Sequence, residues 1–206
     1  SLEECNKIQN KNRDLAECVK RIHRKGIEVQ GGFIIGFDND KETIFNRMIN
    51  FIQNTGIVTA MVGLLNAPKG TLLYKRLEDE GRITESFTGD NTDFTMNFAP
   101  KMDVNTLKHG YKQIVNTIYS PKYFYERVTV FLKDYYPNKL GKVHISINEI
   151  GAFIKANFKL GFIGKERKYY WKLFFWSLFK RPELLPKAIT FSIYGYHFRK
   201  VFEKNS

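Results

Sequence analysis

Residues with the spacing to do chemistry gather in two short stretches. The first is Gly31-Gly32-Phe33-Ile34-Ile35-Gly36-Phe37-Asp38-Asn39-Asp40, in which glycines sit beside apolar residues and two carboxylates follow. The second is Leu65-Asn66-Ala67-Pro68-Lys69-Gly70. Glycines of this kind let a backbone approach a ligand closely, and a helix opening after Asp40 would offer free N–H groups. The plainer reading is that the glycines serve strand–helix packing and Asp40 is a helix N-cap. Other candidates are weaker. His23, His109, His144 and His197 do not stand at metal spacing to another His or to a Cys. His197, among aromatics, suits a donor to a backbone carbonyl better than a catalyst. No G-x-S-x-G elbow or P-loop occurs, and Glu78-Asp79-Glu80 reads as a solvated helix end. Asn91 and Asn97 lie in a segment that could cross the mouth of a site or cap a loop.

The elements that would hold these residues read as repeated βα units. Leu15, Val19 and Ile22 fall at helical spacing within 13–25, and Gly26 suits the helix end. The run Phe33-Ile34-Ile35 is apolar on both faces, as in a parallel strand covered by helices. Ile44, Phe45, Met48, Ile49 and Ile52 form one helical face that Gly56 ends, and Ile57–Leu65 is a second buried strand. Lys25-Gly26-Ile27 and Thr55-Gly56-Ile57 lie 30 residues apart, about one βα repeat. A short helix is expected over Leu72 to Asp79. In such folds ligands gather at the C-terminal ends of the strands, where both stretches fall. Two parallel strands close nothing, so the rest of the sheet is expected from other chain.

Composition divides the chain in two. Residues 1–90 hold 13 basic and 13 acidic residues, whereas 91–206 hold 20 and 8 and carry the whole net charge of +12. Of the 31 aromatics, 25 follow residue 90. The expected division is 1–85 and 86–206. The second part reads as helices: Leu107, Tyr111, Ile114, Val115 and Ile118 on one face; Phe124, Val128, Phe131 and Leu132 on the next, started by Pro121; Ile147–Phe162 with Ile150, Phe153, Ile154 and Phe158; Lys168–Phe179; and Pro186–Glu203. Its positive charge fits a solvated surface, a docking face for further domains, or an interfacial surface near acidic lipids. Nucleic-acid binding comes last, because no RNA or DNA module signature is present. Two cysteines exclude a disulfide framework and favour a reducing compartment, hence a cytoplasmic protein. The absence of a long uncharged apolar run argues against a spanning helix.

The stretches GIEVQGGFIIGFDNDKETIF and GIVTAMVGLLNAPKGTLLYKRLEDEGRI resemble the second half of the radical S-adenosylmethionine (radical SAM) partial barrel. The similarity is greatest to the cobalamin-binding subgroup that includes methylases of hopanoid lipids. Gly32-Phe33-Ile34-Ile35-Gly36 matches the G-x-I-x-G motif of that family. Asp38 stands where a proline is usual and Asp40 where a glutamate is usual. Ala67-Pro68-Lys69-Gly70-Thr71-Leu72-Leu73-Tyr74 resembles the PGTPLY segment, with Lys69 inserted. The resemblance implies an α/β fold, the C-terminal half of a partial (β/α) barrel followed by a mostly α-helical domain. It implies that Gly32, Ile34, Gly36, Asp38, Asp40, Leu64, Leu65 and Asn66 border the adenine of S-adenosylmethionine. The parent enzyme would use S-adenosylmethionine, a four-iron four-sulfur cluster and cobalamin to form a 5′-deoxyadenosyl radical and transfer a methyl group to a small-molecule or lipid substrate.

The family holds its cluster with three cysteines in a CxxxCxxC loop. Cys5 and Cys18 cannot form it and suit small core or interfacial positions. By this resemblance the chain is a C-terminal piece, inactive alone, whose partner is the missing N-terminal part of the same polypeptide, with its cluster-binding half-barrel and cobalamin domain. Ser1 in place of Met agrees with that. An uncovered sheet edge would favour self-association. The helical part resembles the uncharacterised domain that follows the barrel in the same subgroup, through Gly110-Tyr111, Ile118–Arg127, Arg181-Pro182-Glu183 and Tyr194–Arg199. The alternative is a non-catalytic binding or scaffold module with a basic, aromatic surface at a membrane.

Overall fold

The structure, a computed structural model, describes residues 14–84, 96–137, 151, 155 and 157–204. Helix α1 (Leu15–Arg24) opens at Asp14, whose carboxylate accepts the N–H groups of Ala16 and Glu17. Basic residues in its last turn complement the helix dipole. The chain then turns through Gly26 at φ +76° into β1 (Gly31–Ile35). Helix α2 (Thr43–Thr55) follows and ends at Gly56, φ +72°. A Cβ there would lie 2.8 Å from the backbone nitrogen of Phe131, so this glycine also lets a second helix approach. Strand β2 (Ala60–Leu64) pairs with β1 in parallel, Gly31 opposite Ala60 and Ile35 opposite Leu64. The neighbouring parallel strands expected from the sequence are therefore present, though each is shorter than the apolar run that contains it.

This register sorts the side chains. Phe33, Ile35, Ala60, Val62 and Leu64 point to the face that packs into the helical core. Gly32, Ile34, Met61 and Gly63 share the other face, on which Ile34 is 50% and Met61 66% exposed. The expectation that β1 is covered on both faces is thus corrected: among the described residues, helices cover one face only.

Helix α3 (Leu72–Asp79), capped by the Thr71 hydroxyl, occupies the expected span. Helices α4 (Val104–Ile118) and α5 (Pro121–Asp134) pack on α2, and Leu107, Tyr111, Ile114, Val115, Ile118, Phe124, Val128, Phe131 and Leu132 are all buried as expected. Of the helix expected over Ile147–Phe162, Ile150, Phe153 and Ile154 lie outside the described residues, and Lys159–Ile163 forms a π turn. Gly161 there admits the indole of Trp171, whose Nε1 donates to the Gly161 carbonyl (2.9 Å). Helices α6 (Arg167–Lys180) and α7 (Leu185–Lys204) complete the fold. The described architecture is mostly helical with one two-stranded parallel sheet, and one core runs from Ile35 through α2, α4 and α5 to Phe191. The expected division at 85/86 falls beside residues outside the description. Among the described residues no helix is long and apolar enough to cross a membrane.

His23 joins α1 to this core. It is fully buried, its ring meets Phe131 edge-on at 4.8 Å, and its Nε2 accepts the Val29 N–H (3.4 Å). Burial holds its pKa below the ordinary 6.5, against a smaller opposing pull from Asp134. The folded state thus favours the neutral ring, and the stability this contributes is present above pH 6.5 and lost as pH falls through the lowered folded value. Thermal melting is expected to drop between pH 7.5 and 5, and His23→Gln should flatten that slope. An identical slope in the variant would show that other groups set it.

Candidate functional site

The C-terminal ends of β1 and β2 lie side by side, where the register ends and Leu65 N–H donates to the Ile35 carbonyl (2.8 Å). Beyond β1 the chain turns at Gly36, φ +106°. Asp40 Oδ2 accepts the N–H groups of both Gly36 and Phe37 (2.9 and 3.0 Å). Asp40 therefore closes the loop that leaves β1. It is not the N-cap of α2, which begins at Thr43 after Glu42, so the expected cap is corrected. A carboxylate reaching backwards in sequence satisfies the strand end, and those two N–H groups are taken.

Asp38 sits next to this loop with its side chain only 5% exposed. Arg82 grips it with two nitrogens (2.8 and 3.0 Å), Arg76 lies at 3.2 Å and Lys101 at 3.9 Å. The hydrogen bond from Arg82, helped by the charges of Arg82, Arg76 and Lys101, holds the Asp38 carboxyl below the ordinary carboxylate value. Arg82 also donates to Glu80 and to the Ala99 carbonyl (both 2.8 Å). One residue thus ties the exit of β1 to α3 and to the chain returning toward α4.

The exit of β2 is fixed as firmly. Asn97, 3% exposed, donates through Nδ2 to the Ala67 carbonyl (2.7 Å) and accepts the Ala67 N–H at Oδ1 (2.9 Å). The Asn97 N–H donates to Asn66 Oδ1 (3.1 Å). Of the two roles open to Asn97, the structure shows the loop-pinning one; Asn91 lies outside the described residues. Ile83 and Phe98 form an antiparallel bridge there and pack with Leu65, Ala67 and Leu77 in a small second core.

The sequence candidates separate accordingly. Gly32 and Ile34 lie on the open face, and a Cβ added at Gly32 would meet nothing within 4 Å. Gly36, Leu64 and Leu65 are buried, Asn66 is half-buried and bonded, and Asp38 and Asp40 have their oxygens committed. Arg82, Arg76 and Lys101 carry no signal in the sequence, because Arg82 meets its partner across 44 residues. The arrangement is a hydrogen-bonded loop platform beside an exposed apolar sheet face, and its two carboxylates are spent on structure rather than on proton transfer. Cys18 is a half-buried free cysteine, and Cys5 lies outside the described residues. His197 is exposed, with its ring 6.2 Å from that of Phe198. Among the described residues no group of three or more His, Cys, Asp or Glu could hold a metal ion.

Comparison with known proteins adds the following. Residues 71–206 match the family model described as "Domain of unknown function (DUF4070)". The chain is 29% identical over 201 residues to "Uncharacterized methyltransferase sll1242" of Synechocystis sp., covering 96% of this chain and 38% of that protein. It is 28% identical over 163 residues to "Hopanoid C-2 methylase" of Rhodopseudomonas palustris, covering 79% and 29%. It is 32% identical over 101 residues to "Bacteriochlorophyllide d C-12(1)-methyltransferase" of Chlorobaculum tepidum, covering 48% and 22%. The chain therefore spans well under half the length of these relatives. No solved structure matches it.

Proposed function

Since the chain belongs to the family described as "Domain of unknown function (DUF4070)", we propose that it forms the C-terminal portion of a cobalamin-type radical SAM methylase. Its relatives with named activities are methyl-transferring proteins. The observation that carries the reading is the parallel β1–α2–β2 unit with helices on one face and the other face open. In a partial barrel the uncovered face looks inward, and the helices lie outside. Ile34 and Met61 would then line the barrel interior, next to strands supplied by the missing part of the polypeptide.

S-adenosylmethionine fits part of this surface. Gly32 and Ile34 would form an apolar wall for the adenine ring, with the backbone of Leu64–Asn66 as the adjoining edge. Asp38 and Asp40 would act indirectly, by holding the exit loop still. The iron–sulfur cluster does not fit the chain. It takes three thiolates, and Cys5 and Cys18 supply two at most. Cluster and cobalamin contacts would come from the rest of the parent protein, as would the substrate site.

The test uses the protein encoded by the whole reading frame, with its iron reconstituted anaerobically. S-adenosylmethionine and reductant are expected to yield 5′-deoxyadenosine. A protein that neither binds S-adenosylmethionine nor forms that product sinks the reading and favours a binding or scaffold module. Gly32→Val sharpens the test. The new side chain enters open space on a strand, so stability should change by less than ~1 kcal/mol. Affinity for S-adenosylmethionine should fall about tenfold; unchanged affinity in a titration removes the wall. Gly36→Val cannot serve, because φ +106° and a Cβ 3.2 Å from Leu107 would damage the fold itself.

A further inference from the structure

Helix α6 is apolar on two opposite sides. Tyr170, Leu173 and Ser177 face the core, which accounts for one side. The outer side carries Phe175, Leu178 and Phe179, the last 76% exposed. The π turn adds Phe158, Phe162 and Ile163, of which Phe162 is 62% exposed. These rings are continuous. Centroid distances run 6.1 Å from Phe158 to Phe162, 5.7 Å to Trp171, 5.6 Å to Phe175 and 6.3 Å to Phe179. A helix apolar all round is ordinarily buried all round, and an exposed aromatic strip of this length marks an interaction surface.

The charges beside the strip say what covers it. Residues 155–180 contain seven Lys or Arg and one acid, Glu166. Glu166 is buried and paired with Arg199 (2.8 Å), so the exposed charges among the described residues of this stretch are positive. At one end of the strip opens a cavity of about 270 Å³, lined by Lys159, Ile163, Lys165, Glu166, Arg199 and Lys200 among others, with the Glu166 carboxylate spent on Arg199. Its size suits a headgroup rather than a whole lipid, and Ile163 belongs to both the cavity and the exposed strip. Protein–protein interfaces are depleted of lysine, whereas rings flanked by Lys and Arg fit the boundary between headgroups and acyl chains. Helix α6 has 14 residues, about 21 Å, so it would lie along a bilayer and not cross it.

We propose that the outer face of α6 and the π turn docks on an anionic lipid bilayer, with one lipid phosphate seated among Lys159, Lys165 and Lys200. The proposal does not rest on the methylase reading. It is tested with the full chain and sedimented vesicles, either phosphatidylglycerol–phosphatidylcholine or phosphatidylcholine alone, at low and high salt. Binding is expected to the anionic vesicles, at least about tenfold tighter than to the neutral ones and weakened by salt. Phe175→Ser/Phe179→Ser should lower the partition about tenfold or more. Lys165→Gln/Lys200→Gln changes two exposed side chains, should keep the thermal melting curve, and should lower the partition about fivefold per lysine. No binding to anionic vesicles at low salt overturns the proposal. So does full binding by either double variant. Self-association that the Phe pair abolishes, without any lipid binding, would instead assign the face to a second copy of the chain.

Discussion

Arg127→Ala is expected to destabilise the protein by about 3–5 kcal/mol, read as a loss in urea unfolding free energy at pH 7. The guanidinium is fully buried in α5, and among the described residues no carboxylate forms an ion pair with it. Its Nη1 donates to Gln53 Oε1 (2.6 Å) and to the Ile118 carbonyl (2.7 Å), and its Nη2 donates to the Val58 carbonyl (3.2 Å). Gln53 lies in the last turns of α2, Ile118 is the last residue of α4, and Val58 follows the end of α2. The C-terminus of α4 therefore points its partial negative charge at the buried cation, while α2 contributes through the Gln53 side chain. The rings of Tyr119 and Phe124 add their faces, at 5.5 and 5.2 Å. Burial still lowers the Arg127 pKa to about 10, which shows how incompletely these neutral partners replace water.

Alanine would leave three acceptors without their donor and a cavity where α2, α4 and α5 meet. Methionine keeps most of the volume and removes the cost of burying charge, so Arg127→Met should lose only about half as much. Equal losses in the two variants would show that the acceptors dominate and volume does not. A loss below ~1 kcal/mol for alanine would mean that the carbonyls find other donors, and the account given for the α2–α4–α5 junction would fail.

Local periodicity made much of the fold legible. Helix α3 is found over Leu72–Asp79 because Thr71 and the end of the Leu72–Leu77 pattern are both local signals. The parallel pairing of β1 and β2 followed from two apolar runs, each led by a helix-ending glycine. Two expectations are corrected, each for its own reason. Apolar side chains on both faces of β1 suggested two covered faces, yet coverage depends on chain that the run itself does not contain. Asp40 looked like a cap because it precedes a helix, but a carboxylate can reach back four residues as readily as forward. The polar framework of the site was illegible for a different reason. Asn97 meets Ala67 across 30 residues, and Arg127 meets Val58 across 69. Such pairings leave no period in the sequence, so the type of residue is visible and the partner is not.

The second large effect is expected at Asp38. Asp38→Asn should cost about 2–3 kcal/mol at pH 7, chiefly through the twin hydrogen bonds from Arg82. Arg76 and Lys101 are well exposed and can return to water, so their share is small. Asparagine keeps the shape but accepts with one oxygen and turns an NH₂ group toward cations. The pH dependence gives an independent check. The folded pKa lies below the ordinary 3.8 because the charged form is gripped. That stability is present above the unfolded value and is lost as pH falls through the lowered one. Between pH 5 and 2 the native protein should therefore lose more unfolding free energy than Asp38→Asn does, so the two curves converge in acid. Parallel curves would mean that Asp38 is not the group being titrated. The consequence reaches the open sheet face as well. Arg82 also holds Glu80 and the Ala99 carbonyl, so α3 stays docked in the variant while the exit loop of β1 loses its anchor. On the proposed methylase reading, S-adenosylmethionine affinity of the whole protein should then fall, although the substituted side chain does not face the proposed adenine wall. If affinity holds while stability drops, the loop does not contribute to that wall, and Gly32 and Ile34 bind without its help.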